Sequence, residues 1–246
     1  MIGLMDFILP QASTSATQVD FLIELIFVIV GVWFILAEGV LFYLIFRFRK
    51  KEGVKAQYIT GEKHEENKWV HIPHNLILVF DVIIIIFAIK IWYGVKQHLP
   101  APDETIRVIG QQWAWTFVHP GKDKILGTDD DVAKVDELRL KVGTTYHFQL
   151  TSKDVLHSFS IPAFRLKQDA IPGRIITGWF KPTKTGEYDF QCAEICGIGH
   201  GIMQAKVFVE NEADHNKWLE GQKEHIVLPD FFPAAPMNPT IAAAPN

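Results

Sequence analysis

The sequence predicts two parts: a two-helix transmembrane hairpin at the N-terminus and, after it, an all-β Greek-key sandwich or small barrel. Three observations predict them. The chain has 246 residues of which 48% are hydrophobic, an ordinary share, yet most of its long apolar runs fall before residue 96. From about Pro100 the pattern turns into short runs that alternate apolar and polar positions, broken by Pro and Gly. Charge divides in the same way: residues 1–98 hold 9 acidic and 9 basic side chains, and residues 99–246 hold 19 and 15, which accounts for the net charge of −4. That balance gives no case for nucleic acid. A mildly acidic second part suits a basic protein partner, whose association rate it would raise more than its affinity.

Residues 1–20 contain no Lys or Arg and too short an apolar core for an ordinary secretory signal, so they read as an exported tail, open to removal in the mature protein. The hairpin occupies 21–98. Its first span, 21–46, is long enough to cross a bilayer with some tilt. Glu24, Gly31 and Glu38 recur every seven residues, drift by only about 20° per step and share one face. Such acids either point at protein or water or sit near the two interfaces, and Gly31 permits close helix approach. The second span, 72–95, has Trp69, Trp92 and Tyr93 as interfacial anchors and Lys90 able to snorkel outwards. Asp81 and His74, again seven apart, form a second polar stripe. A lone hairpin would not conceal these groups, which implies a larger membrane complex.

Between the spans, the loop 47–71 carries Arg47, Arg49, Lys50, Lys51, Lys55, Lys63 and Lys68. The positive-inside rule puts this loop on the cytoplasmic or matrix side and both chain ends outside.

The β part occupies 99–222. Leu138, Leu140 and Val142, then Tyr146, Phe148 and Leu150, then Val207 and Val209 alternate with polar or solvent-facing positions and mark half-buried strands. Further strands are expected over 106–118, 155–161, 174–180 and 187–192, about seven in all, which suits a sandwich or small barrel. Asn211 caps a short amphipathic helix with Asp214 three residues on, docked by Trp218 and Leu219. The Pro- and Ala-rich 223–246 reads as an extended tail without a core.

Both cysteines lie in one stretch, QCAEICGIGHGIM (191–203), which joins the last two strands. Cys192, Cys196, His200 and Met203 place two thiolates, an imidazole and a thioether within a dozen positions. Soft sulfur ligands and imidazole suit copper, and two thiolates are enough to bridge two ions. The missing ligand is sought in His157 of DVLHSF, flanked by apolar strand residues, whereas His147 falls on the polar face of its strand and His119, His215 and His225 in turns or the tail. A disulfide would leave His200 and Met203 without a reason, and zinc has no use for Met203. A thioredoxin-like copper chaperone would normally carry Pro where Gly197 stands.

With these motifs the chain resembles subunit II of the haem-copper cytochrome c oxidases over roughly residues 20–222. The likeness rests on the hairpin, GQQWAW (110–115), DVLHSFSIP (154–162), LKQDAIPGR (166–174) and QCAEICGIGHGIM, in that order. It implies a cupredoxin-like domain in which Cys192 and Cys196 bridge a dinuclear mixed-valence copper centre. His157 and His200 would be its terminal ligands, Met203 a weak axial ligand, and Glu194 a ligand through its backbone carbonyl, its side chain left to face a magnesium ion at the boundary with subunit I. Trp113 matches the aromatic residue through which electrons arrive from cytochrome c, although Ala114 replaces the aromatic that often follows. The competing reading of Trp113 is a buried sandwich tryptophan, the role expected of Trp115. Glu66 matches a glutamate at the mouth of a proton channel into subunit I, against the plainer reading of a loop carboxylate among Glu62, Glu65 and Glu66. Asp129, Asp130, Asp131 and Asp154 are candidates for an acidic docking surface.

The resemblance thus implies a membrane-embedded respiratory subunit, in a bacterial cell membrane rather than a mitochondrial one. It would take electrons from cytochrome c and pass them to the haem-copper catalytic subunit, among other oxidase subunits and lipid, where oxygen reduction is coupled to proton translocation. The alternatives are a copper subunit of a membrane nitric oxide reductase and a membrane-anchored copper chaperone.

Overall fold

The computed structural model describes residues 4–55 and 58–222, so the tail expected over 223–246 lies outside the described residues. The chain divides into two compact units.

The first unit is helical. A short α1 (Leu4–Ile8) precedes α2 (Thr14–Arg47), and α3 (His64–Trp92) runs on into a π-helical turn, Tyr93–Gln97. Each long element, Thr14–Arg47 and His64–Gln97, has 34 residues and is apolar enough to cross a membrane. At about 1.5 Å per residue that is about 50 Å, more than a hydrocarbon core of about 30 Å needs. The surplus explains why α2 begins seven residues before the apolar run at Phe21, in the polar turns that carry Thr14 and Asp20. The two helices meet through edge-to-face rings: Phe21 and Phe87 at 5.4 Å, and Trp33 and Phe80 at 6.1 Å. Glu24 turns back to accept the Met5 N–H at 3.1 Å.

Among its described residues the second unit holds ten strands, three more than the sequence pattern suggests. They are β1 (Glu104–Gln111), β2 (Ala114–His119), β3 (Val132–Val135), β4 (Glu137–Lys141), β5 (Tyr146–Ser152), β6 (His157–Ile161), β7 (Leu166–Ala170), β8 (Ile176–Phe180), β9 (Gly186–Cys192) and β10 (Gln204–Glu210), followed by α4 (Glu212–Glu220). They form two five-stranded sheets, β3-β2-β1-β5-β8 and β4-β10-β9-β6-β7. The β1–β5 and β4–β10 pairs are parallel; the others are antiparallel. This is the expected sandwich with non-sequential strand order. The alternation read from the sequence holds: Leu138 and Leu140, Tyr146, Phe148 and Leu150, and Val207 and Val209 are buried. Aromatic residues join the inner faces, with Trp115 and Phe190 at 4.9 Å and Phe148 and Phe159 at 5.1 Å.

Two features depart from expectation. The run 106–118 is not one strand: it folds at Gln112 and Trp113 into β1 and β2, with Gln111 opposite Ala114. Trp113 therefore lies in a turn, while Trp115 is fully buried, as expected. In addition, Gln11–Thr14, before the first span, belongs to the β unit. Ala12 donates to the Ala163 carbonyl and accepts from Thr183 N–H, both at 2.9 Å, and the buried Ser13 hydroxyl donates to the Phe164 carbonyl.

His119 and His215, placed in turns or the tail by the sequence, are both buried, His119 at the end of β2. Asn211 caps α4 as expected by accepting from Asp214 N–H at 2.9 Å, and the helix then lays His215 and Trp218 against His119, at ring distances of 6.5 and 5.3 Å. Arg139 reaches over Trp218 and Phe208 from β4. Burial, reinforced by the positive fields of His215, Arg139 and Lys134, pushes the His119 pKa down to about 3. Since the folded value lies below the ordinary 6.5, the neutral ring's contribution is complete above about pH 6.5 and is lost as pH falls towards 3. Thermal melts of the full chain should lose stability below about pH 6.5 at up to about 1.4 kcal/mol per pH unit from this group. His119→Gln should flatten that slope relative to the native chain, and an identical slope would contradict the assignment.

Candidate metal centre

The backbone brings the ligand candidates together at the ends of two neighbouring strands and in one loop. β6 lies antiparallel to β9, with Phe159 opposite Cys192. His157 begins β6 and Cys192 ends β9, so the pairing sets imidazole and thiol side by side. The loop beyond Cys192 is closed at its base, where Cys192 N–H donates to the Met203 carbonyl and Ala193 N–H to the Ser158 carbonyl, each at 3.1 Å. Gly197 turns the loop with φ at +118°, a conformation side chains resist. A Cβ at Gly199 would stand 2.4 Å from the Trp113 ring, so glycine there lets the indole lie on the loop.

The donor atoms form a row. His157 Nδ1 is 4.0 Å from Cys192 Sγ, Cys192 Sγ is 3.8 Å from Cys196 Sγ, and Cys196 Sγ is 3.6 Å from His200 Nδ1. Met203 Sδ lies 3.7 Å from Cys196 Sγ, and the Glu194 carbonyl 3.3 Å from Cys192 Sγ. All six residues expected to hold the metal therefore meet at one place. His157, Cys192, Cys196 and Met203 are 0%, 8%, 3% and 1% exposed. The two cysteines are unbridged, their sulfurs 3.8 Å apart. Burial, together with Cys192 alongside, pushes the Cys196 thiol up to about 11.

The row also bears on zinc. Among the described residues, His157, Cys192 and Cys196 have donor atoms all within 4.8 Å of one another. His200 is not in that group and meets it through Cys196. A tetrahedral zinc needs its four donors around one point; a row of His, Cys, Cys and His offers two positions that share the sulfurs. The donors, with a thioether and a carbonyl at the flanks, fit copper in chemistry.

Asp154, three residues before His157, has a role that sequence reading assigned to docking. Its carboxylate meets His157 Nε2 at 2.8 Å and accepts from the N–H groups of Gln112 and Val155 at 2.7 Å each. Burial raises its pKa, but these hydrogen bonds outweigh that and hold it below the usual carboxylate value. By accepting the hydrogen bond from Nε2–H, Asp154 leaves Nδ1 with the lone pair that faces Cys192. Its signal was the Asp-x-x-His spacing. Of the other acids, Asp130 and Asp131 accept hydrogen bonds within their own loop, and Asp129 is exposed.

Trp113 is 37% exposed, and its Nε1–H donates to the Cys196 carbonyl at 3.2 Å. Gln112 Nε2 donates to the same carbonyl at 2.8 Å. A surface indole thus touches the main chain of a central donor. Glu66 belongs to the other unit, in the first turn of α3, where it accepts the Gly61 N–H at 3.0 Å.

Comparison with known proteins assigns the chain. The family profile described as cytochrome C oxidase subunit II, periplasmic domain, matches residues 104–210. An alternative cytochrome c oxidase subunit 2 from Bradyrhizobium diazoefficiens is 35% identical, over 86% of this chain and 82% of the relative. A cytochrome c oxidase subunit 2 from Cereibacter sphaeroides is 30% identical, over 92% and 84%. The crystal structure of the periplasmic domain of subunit II of cytochrome oxidase from Bradyrhizobium japonicum is 34% identical, covers 50% of this chain and 95% of its own, and superposes with a TM-score of 0.45. With relatives at this identity matched over most of their length, the chain belongs to the cytochrome c oxidase subunit II family.

Proposed function

We propose that this oxidase subunit takes single electrons from a soluble carrier such as cytochrome c and hands them to the haem-copper catalytic subunit, where oxygen is reduced and protons are translocated. The row of His157, Cys192, Cys196 and His200 beneath an exposed Trp113 carries this reading. Two coppers held there would accept and release one electron shared between them. The chain's own part is to hold the donors still: the sulfurs are buried, the loop is closed at its base, and Asp154 fixes one imidazole. A ligand set that hardly moves lowers the cost of changing charge.

Trp113 is proposed as the contact through which the electron arrives, because it is both open to a partner and bonded to the Cys196 carbonyl. Exposed Ile198 on the same loop gives a docking partner apolar surface nearby. Family membership favours an oxidase over a nitric oxide reductase. Sulfurs this deeply buried suit retention of a metal better than delivery by a chaperone. The Glu194 side chain is proposed for magnesium and Glu66 for proton uptake through the family resemblance, although Glu66 already has a structural task on Gly61. The basic loop is proposed to face the bacterial cytoplasm, with the β unit outside.

Trp113→Gln should slow reduction of the centre by reduced cytochrome c by an order of magnitude or more in stopped flow, while the absorption bands of the metal stay in place. Unchanged rates would remove Trp113 from the route.

A further inference from the structure

Within the helical unit, the start of α2 and the end of α3 enclose a groove of about 640 Å³, lined by Thr17, Gln18, Phe21, Phe87, Lys90, Ile91 and Gly94. Phe87, Lys90, Ile91 and Gly94 recur at i, i+3, i+4 and i+7, so the groove follows one helical face. Its floor is apolar, with Phe21 and Phe87 edge to face at 5.4 Å and Ile91 beside them. Its rim is polar: Thr17 and Gln18 on one helix and the exposed ammonium side chain of Lys90 on the other. Gly94 keeps it open, since a Cβ there would find nothing nearer than the Gln18 side-chain oxygen at 3.8 Å.

We propose that this groove is a binding site for an anionic phospholipid, with an acyl chain along Phe21, Phe87 and Ile91 and the phosphate at Lys90 and Gln18. The polarity of the lining decides the occupant. A transmembrane helix from a partner would meet the aromatic floor but leave a cation and an amide at the rim in poor surroundings. A phospholipid has both characters in one molecule, joined in the order in which the groove presents them. Lys90 selects the anion: it has no hydrogen bond or ion pair among the described residues, and a basic side chain between helices at an interface attracts acidic headgroups. The site is separate from the metal centre and does not depend on which metal is held.

The test is native mass spectrometry of the full chain in mild detergent, titrated with dioleoyl-phosphatidylglycerol or dioleoyl-phosphatidylcholine. Preferential retention of phosphatidylglycerol is expected. Lys90→Gln should reduce that retention about fivefold, to the level of phosphatidylcholine, and Lys90→Arg should restore it. Gly94→Leu, which fills the groove, should remove both lipids, with helix content by circular dichroism as the folding control. A photo-reactive benzoylphenylalanine in place of Ile91 should label lipid in isolated membranes. Equal retention of the two lipids by the native chain, an unaltered preference in Lys90→Gln, or a protein adduct from position 91 would each overturn the proposal.

Discussion

Cys196→Ser is expected to eliminate the two-metal centre while leaving the β unit folded. Cys196 is the hub of the donor row, with Cys192 Sγ at 3.8 Å, His200 Nδ1 at 3.6 Å and Met203 Sδ at 3.7 Å from its sulfur. Serine keeps the size approximately but replaces a soft thiolate by a hard hydroxyl, which a copper ion binds poorly. With one sulfur left, two ions have no pair of bridges. The fold should survive because its main packing lies elsewhere, in Trp115, Phe117, Phe148, Phe159 and Phe190, all fully buried or nearly so. A buried hydroxyl without a partner costs about 1–3 kcal/mol, against a total stability of about 5–15 kcal/mol for a domain. Metal analysis together with near-ultraviolet circular dichroism checks both halves. Two coupled coppers retained in the variant would refute the ligand assignment.

Asp154→Ala should weaken copper binding by about 10- to 100-fold, the usual effect of removing a carboxylate that orients a ligating histidine. The carboxylate satisfies three donors at once, the Gln112 and Val155 N–H groups and the His157 ring. Without it the imidazole loses the bond that fixes its tautomer and plane, and the turn that carries Trp113 loses an anchor. Asp154→Asn keeps an acceptor oxygen and should recover part of the affinity. Competition with a chelator of known affinity gives the measurement. Native affinity in Asp154→Ala would show that packing against Trp115, 5.8 Å from the His157 ring, orients the imidazole alone.

The contrast between what was legible in the sequence and what was not follows the range of the interactions. Alternation of Leu138 with Leu140, or of Phe148 with Leu150, is local and announces a buried face directly. The metal loop was legible for the same reason: four donors within a dozen residues can be read without knowing the fold. His157 was found by its apolar flanks, but its placement depends on β6 meeting β9, a pairing over some thirty residues.

Long-range contacts decided the rest. The parallel β1–β5 and β4–β10 pairs have no local signature. The break at Gln112 was hidden because Trp113, Trp115 and Phe117 continue an alternating pattern through it. What stops the strand is a carboxylate forty-two residues away, when Asp154 accepts the Gln112 N–H. β7 escaped notice because only Leu166 and Ala170 at its ends are buried, with polar residues between them. His119 stands beside a Pro-Gly turn and His215 after the last strand, and both are buried where α4 packs His215 and Trp218 against His119. Ala12 and Ser13 offer no apolar periodicity at all, yet backbone hydrogen bonds to Ala163 and Thr183 build them into the β unit.

Electron paramagnetic resonance of the copper-loaded full chain, with copper and zinc counted in the same sample, tests the central claim most directly. The donor row predicts two coppers per chain and, in the partly oxidised state, one unpaired electron whose hyperfine pattern is shared equally by two copper nuclei. A single copper with its own isolated signal, or one zinc in place of copper, would contradict it.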